Sequence, residues 1–97
     1  MLIPFEELEP SSRIWVYQSN KNLSEAEQQV ITEAANTFFA QWQAHGKDLK
    51  CGFMLAYDQF LVLGVDEGFN AATGCSIDAS VHLVKQLEQQ LGINFFD

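Results

Sequence analysis

A chain of 97 residues has room for one domain, residues 1–97, around a single hydrophobic core. Its composition, 47% hydrophobic and 19% charged, is typical of a globular protein and contains no apolar run long enough to span a membrane. The net charge of -8 opposes contact with phosphate backbones and anionic lipids, so we expect no nucleic-acid and no membrane partner.

The first half of the chain predicts an arm, a strand and a long helix. Residues 1–12 place two prolines among apolar and acidic residues and predict an N-terminal arm. The β-branched and aromatic run Arg13–Gln18 predicts a strand, and a central one because both of its faces are apolar. Ser24 and Glu27 form the capping-box pattern that begins a helix. The glycine that follows His45 predicts that this helix ends there.

The second half predicts a hairpin, a second helix and a last strand. Two apolar runs, 50–57 and 60–66, predict strands joined by a tight turn. The second run is apolar on both faces and is therefore also expected to be central. A helix is predicted from about Ser76 to the glycine at position 92, followed by a short strand over 93–96.

The predicted order of elements is strand, helix, strand, strand, helix, strand. This order is that of the split βαβ, or ferredoxin-like, arrangement. In that α+β arrangement an antiparallel four-stranded sheet carries both helices on one face, and its first and third strands are central. Those are the two strands that are apolar on both faces, so the sequence predicts a ferredoxin-like βαββαβ sandwich.

The predicted topology brings several reactive residue types to one end of the sheet. His45 would end the first helix, Asp66 the third strand, and residues 74–76 would begin the second helix at that end. Cys75 would lie at a helix N-terminus, where unpaired N–H groups and the helix dipole favour a thiolate. One hypothesis is therefore a cysteine-dependent enzyme or thiol sensor, with Cys75 as the nucleophile and His45 as its base.

The same segment has a simpler interpretation as an ordinary helix start. Thr73 or Ser76 would be the N-cap, Gly74 a turn residue and Asp78 an acid that complements the helix dipole. The histidine at the end of the first helix would likewise interact favourably with that helix's dipole. If this end of the sheet binds a ligand instead, the candidate binding residues are Gly74, Ser76, Asp78 and Asp66.

The two cysteines, Cys51 and Cys75, do not make a disulfide framework and predict a reduced, cytoplasmic location. The N-terminus lacks the basic region of a secretory signal, which favours the same location. His45 and the cysteines are suitable ligand types for a metal, but they include no close-spaced pair such as C-x-x-C. We therefore expect no metal and no cofactor.

Aromatic side chains are expected on the sheet face that the helices leave open. Trp15, Tyr17 and Tyr57, with Phe53, are predicted to lie there, and Trp15 and Tyr17 are the candidate binding residues. RNA-binding modules stack bases on such aromatics, but 5 basic residues in the whole chain provide no basic patch. Because a row of aromatic side chains is costly to leave in water, we expect the arm, a second copy or a protein partner to cover this face.

Four segments carry a resemblance to a known family: WVYQSN at 15–20, WQAHG at 42–46, GCSIDASV at 74–81 and NFFD at 94–97. The chain resembles a family of short bacterial proteins of unknown function that are often labelled "ABC transporter ATPase". The resemblance covers nearly the whole chain and implies no established activity, substrate or catalytic residue.

The residues do not support an ATPase. A P-loop needs G-x-x-x-x-G-K-[ST], with the lysine on the terminal phosphates. The nearest segment has five residues between Gly68 and Gly74, and Cys75 stands where the lysine must be. We therefore reject that activity and expect a non-catalytic binding or assembly module, with the cysteine-dependent enzyme or sensor as the alternative.

Overall fold

The computed structural model describes residues 1–95 and has an α+β fold. A three-stranded antiparallel sheet and a separate two-stranded one accompany two α-helices and a short 3-10 turn at Phe5–Glu7. The strands are β1 (Arg13–Gln18), β2 (Gln43–Ala44), β3 (Lys47–Asp48), β4 (Cys51–Ala56) and β5 (Phe60–Val65), and the helices are α1 (Glu25–Ala40) and α2 (Gly74–Leu91). No helix within residues 1–95 combines the length and apolar character that crossing a bilayer requires.

The main sheet has the strand order β1–β5–β4, and both outer strands are antiparallel to β5. Strand β1 pairs with β5 without a bulge, from Arg13 opposite Val65 to Gln18 opposite Phe60. The prediction that the run at 60–66 is central is confirmed. Within residues 1–95, β1 forms one edge of the sheet, so the central position expected for β1 stays a prediction.

The predicted last strand is not found over residues 93–95, and Phe96 lies outside the described residues. Two hydrogen bonds join residues 93–95 to the end of α2. The N–H of Ile93 donates to the carbonyl of Glu88 at 3.2 Å, and the N–H of Phe95 donates to the Glu88 carboxylate at 2.7 Å. Asn94 in turn contacts the residue pair that follows β1, since its carbonyl accepts the N–H of Asn20 at 2.8 Å.

Both helices pack on one face of the main sheet. Along β1 and β5, alternate side chains point to this face, as the two-residue period of a strand requires. The buried cluster joins residues of the sheet, of α1 and of α2: Tyr17, Leu61, Leu63 and Val65; Ile31, Ala35 and Phe39; and Leu83, Val84 and Leu87. The spacings of three and four within each helix are those of a single apolar stripe.

Hydrogen-bonded caps fix where both helices begin. The capping box of Ser24 and Glu27 is present, with both reciprocal hydrogen bonds formed. Helix α2 has a second capping box in which Thr73 is the N-cap and Ser76 its third-position partner. The helix predicted from Ser76 thus begins two residues earlier, because the serine hydroxyl bonds back to the Thr73 N–H at 2.8 Å.

The first helix ends at Ala40, so the prediction that it continues to His45 is wrong. The next residues form the β2–β3 hairpin, with His45 and Gly46 at its turn. Their φ angles of 52° and 74° are both positive, as a two-residue type I′ turn requires. The carbonyl of Trp42 accepts from the Leu49 N–H at 3.1 Å, which holds the two ends of the hairpin together.

Candidate functional site

The structure places the two members of the proposed thiol pair on different kinds of element. Cys75 is an exposed residue in the first turn of α2, as predicted. His45 is exposed at the tip of a hairpin and does not close α1. The imidazole is therefore not held at a helix C-terminus, and the pairing of His45 with Cys75 stays a prediction.

The other candidate residues at this end have local structural roles. Ser76 is buried, and its hydroxyl and backbone N–H both take part in the cap of α2. Asp66 is also buried, and its carboxylate accepts the N–H of Gly68 at 3.0 Å. Gly74 and Asp78 are exposed, and Asp78 lies beyond the first turn of α2, which contains no acidic residue. Ligand binding by these four residues stays a prediction.

The two thiols differ in accessibility. Cys51 is fully buried in the core, with its Sγ 3.5 Å from the carbonyl oxygen of Phe39. Burial raises the pKa of the Cys51 thiol to about 11, against a smaller opposing effect of the N-terminal ammonium group. Among residues 1–95, no group of three or more His, Cys, Asp or Glu side chains is placed to hold a metal ion.

Alkylation of the folded protein is expected to modify one thiol per chain. The reagent reaches Cys75. Cys51 is shielded by the core, and its raised pKa keeps it from forming the reactive thiolate, so it reacts only in denaturant. A Cys75→Ser variant should show no rapid alkylation. The matched control, Cys51→Ala, should be alkylated as rapidly as the wild type. Rapid modification of both thiols would contradict the buried position of Cys51. Alkylation of Cys75 at pH 7 faster than that of a free cysteine would support the thiol hypothesis.

The prediction that Trp15 and Tyr17 line the open face of the sheet is wrong. Both side chains point to the face that the helices cover, because they alternate with Ile14 and Val16 along β1. Tyr17 is buried, and burial raises the pKa of its phenol, which a hydrogen bond with Ser80 partly offsets. Trp15 is half-buried and lies beneath the Arg13 guanidinium at 4.7 Å.

The open face instead carries aliphatic side chains. On β1, Ile14 and Val16 are 45% and 59% exposed. Met54, which shares a cross-strand row with Val16, is 40% exposed. We call four exposed or half-buried residues of this face the open-face patch: Val16, Met54, Tyr57 and Phe60. Its members carry no charge, which is unusual for an exposed surface of this acidic chain.

The N-terminal arm covers the other end of the open face, as predicted. It crosses the sheet where two cross-strand neighbours, Gly52 and Gly64, leave space for it. A Cβ atom on Gly52 would lie 2.9 Å from the carbonyl oxygen of Ile3, and one on Gly64 would lie 2.6 Å from a methyl group of Leu8. The glycines therefore allow the arm to approach the sheet, and the open-face patch begins where the arm ends.

Tyr57 belongs to this patch through an unusual backbone conformation. It is 90% exposed at the turn between β4 and β5, and its φ of 53° is in the left-handed region. Asp58, at the next position, has a φ of 55°. A bulky residue in this region costs energy, and such strain tends to occur at functional positions. The ring of Tyr57 makes an edge contact with that of Phe60, with centroids 6.4 Å apart.

The outer edge of β1 borders the patch, and its hydrogen bonds show which backbone groups point outward. The N–H of Ser19 donates inward to Gln59 at 2.7 Å, whereas that of Asn20 donates outward to Asn94 at 2.8 Å. Antiparallel strands alternate in this way at every residue. The backbone groups of Ile14, Val16 and Gln18 therefore also point outward, where no strand of residues 1–95 pairs with them.

Within residues 1–95, the edge of β1 from Ile14 to Gln18 has none of the usual protection against other strands. Proteins block such edges with an internal lysine or proline, a bulge, or a covering segment. The five residues 14–18 contain no charge and no proline, and their register is continuous. Sequence reasoning missed this site because it placed the last strand over it. The alternation of Ile14 and Val16 was visible in the sequence, but only the strand order shows that they are exposed.

Comparison with known proteins adds nothing to this geometry, since no family model, no curated protein and no solved structure matches the chain. The resemblance to short bacterial proteins stays a prediction. The candidate site is therefore the outer edge of β1 at residues 14–18, with the exposed side chains of Ile14 and Val16 on its open face.

Proposed function

We propose that this protein is a small cytoplasmic binding or assembly module, without catalysis of its own, that takes a strand from its partner at the edge of β1. The observation that carries the proposal is the unprotected edge of residues 14–18 beside the open-face patch. In strand addition, backbone hydrogen bonds supply affinity, and alternate side chains supply specificity. Here the alternate side chains are Ile14 and Val16, which would contact those of the incoming strand on the open face.

The predicted ferredoxin-like arrangement has a strand paired with this edge. In that arrangement the fourth strand lies beside the first, at the position that no strand of residues 1–95 occupies along β1. The order β1–β5–β4 and the two helices on one face support this relationship. A partner strand beside β1 would complete a four-stranded sheet and cover the outward backbone groups of residues 14–18.

Amide hydrogen exchange at Ile14, Val16 and Gln18 tests the proposal. It is measured as the protein concentration is raised, and separately with extended peptides selected from a random library. We expect these three amides to become protected in at least one of the two experiments, because a paired N–H exchanges more slowly. Free exchange of all three in both experiments would refute the proposal.

Two substitutions on the open face make that test specific. Val16→Asp places a charge beside the edge and is expected to remove the protection. Met54→Asp places the same charge on the same face, two strands away, and is the matched control that keeps the protection. Both positions are exposed, so both variants are expected to change the stability of the fold by less than about 1 kcal/mol. If both variants lost amide protection to the same extent, the partner would bind to the open face without pairing its strand with β1.

A further inference from the structure

We infer that the strand which pairs with β1 is β1 of a second copy of this chain, antiparallel and related by a two-fold axis at Val16. This inference rests on the proposed function and names its partner. Pairing along this edge would join two three-stranded sheets into one sheet of six strands. The two open-face patches would then lie on the same side of that sheet.

The part of the edge that residues 1–95 leave unpaired is symmetric about Val16. At one end the N–H of Ser12 is already used, since it donates to the carbonyl of Glu9 at 2.9 Å. At the other end the N–H of Asn20 donates to Asn94. Between these limits the outward residues are Ile14, Val16 and Gln18, with Val16 at the centre. A strand that pairs with an identical strand across a two-fold axis requires such a centre.

The register follows from this symmetry. Val16 would lie opposite Val16 of the second copy, and Ile14 opposite Gln18 in both directions. Each of these three pairs exchanges two N–H to C=O hydrogen bonds in an antiparallel ladder. The pairing therefore satisfies every outward backbone group from Ile14 to Gln18 at once. It also places two β-branched side chains side by side on the open face, which is a favourable cross-strand pair.

The distribution of charge permits contact between two copies at this edge. Two chains of net charge -8 repel each other, yet residues 10–24 contain none of the 13 acidic side chains. The basic residues of that segment are already engaged. Arg13 contacts Trp15 and lies 3.9 Å from Glu67, and Lys21 lies 2.9 Å from Glu27. No like charges meet in the proposed register, so repulsion between copies is weak at the edge of β1.

A charge-swap experiment tests the two-fold axis. Native mass spectrometry and light scattering of the full chain are expected to show a complex at twice the 10.9 kDa of one chain. Val16→Asp and Val16→Lys should each raise the dimer dissociation constant at least about tenfold, because like charges would face each other at the axis. An equimolar mixture of the two variants should restore the dimer, as a heterodimer, because opposite charges then meet.

A disulfide experiment tests the register with variants that leave the edge uncharged. In a Cys75→Ser background, Val16→Cys is expected to form a disulfide-linked dimer on addition of diamide, since paired Cα atoms about 5.5 Å apart are within disulfide range. Gln18→Cys alone should not cross-link, whereas a mixture of Ile14→Cys and Gln18→Cys should.

Three results would overturn the inference. They are a wild-type protein that stays a single chain at about 100 µM, a dimer unaffected by the charges at Val16, and cross-linking of Gln18→Cys with itself at the rate of Val16→Cys. If a library peptide then protects the amides of residues 14–18 while a second copy does not, the proposed function stands and the identity of the partner is wrong.

Discussion

Replacing Trp42 by alanine is expected to lower the free energy of unfolding by about 3–5 kcal/mol, a large part of what a domain of this size has. The side chain is 4% exposed and packs edge-on against Phe39, with ring centroids 5.2 Å apart. Its indole N–H donates to the buried carbonyl of Ser76 at 2.9 Å. The substitution therefore leaves a cavity and removes a buried hydrogen bond to the start of α2. Urea unfolding followed by circular dichroism measures the change.

A Trp42→Phe variant separates the two contributions. It keeps most of the packing and removes the hydrogen bond, so we expect a loss of about 0.5–1.5 kcal/mol, smaller than that of the alanine variant. A Trp42→Ala variant with an unchanged unfolding midpoint would show that this side chain is not part of the core.

Replacing Gly52 by alanine is expected to lower stability by about 1–3 kcal/mol and to detach the arm from the sheet. The new Cβ atom would lie within 3.0 Å of the backbone of Ile3 and Phe5, so the arm itself must shift. A glutamate-specific protease reports the shift, because the arm contains Glu6, Glu7 and Glu9. Its cleavage within the arm is expected to become faster.

Gly74→Ala is the matched control for this effect. A Cβ atom at position 74 meets nothing within 4 Å, and alanine suits the first turn of a helix. Its stability is expected to stay within about 0.5 kcal/mol of the wild type or to rise, with unchanged cleavage of the arm. Slow cleavage of the Gly52→Ala arm would mean that the arm does not lie against this glycine.

The local signals in the sequence predict most of the fold. The capping box at Ser24 begins α1 as predicted, and the two apolar runs form β4 and β5 within one residue of the predicted bounds. These features depend on residues that are close along the chain, such as a cap or a period of two. The glycine at position 92, which adopts the left-handed conformation, ends α2 for the same kind of reason.

Two features of the fold could not be predicted, because contacts between residues far apart in the chain decide between local signals. The segment that contains His45 and Gly46 fits the end of a helix, but the same dipeptide also fits a hairpin turn. The bond from Trp42 to Ser76 spans 34 residues and favours the second outcome. The open face was assigned to the wrong side of β1 because a strand that is apolar on both faces does not show which face the helices cover.

The attachment of the arm to β4 has a consequence for the size of any assembly. The N–H of Ile3 donates to the carbonyl of Cys51, and the N–H of Cys51 donates to the carbonyl of Met1, so the arm occupies the outer side of β4 at this point. A sheet whose two edge strands are both unpaired can add copies at each edge without limit and grow into a fibre. Here the arm obstructs the outer edge of β4 for a further copy. A pair formed through β1 would leave no second β1 edge unpaired. Under the proposed pairing, association through β1 would therefore stop at two chains, and the exposed apolar strand would not become a route to aggregation.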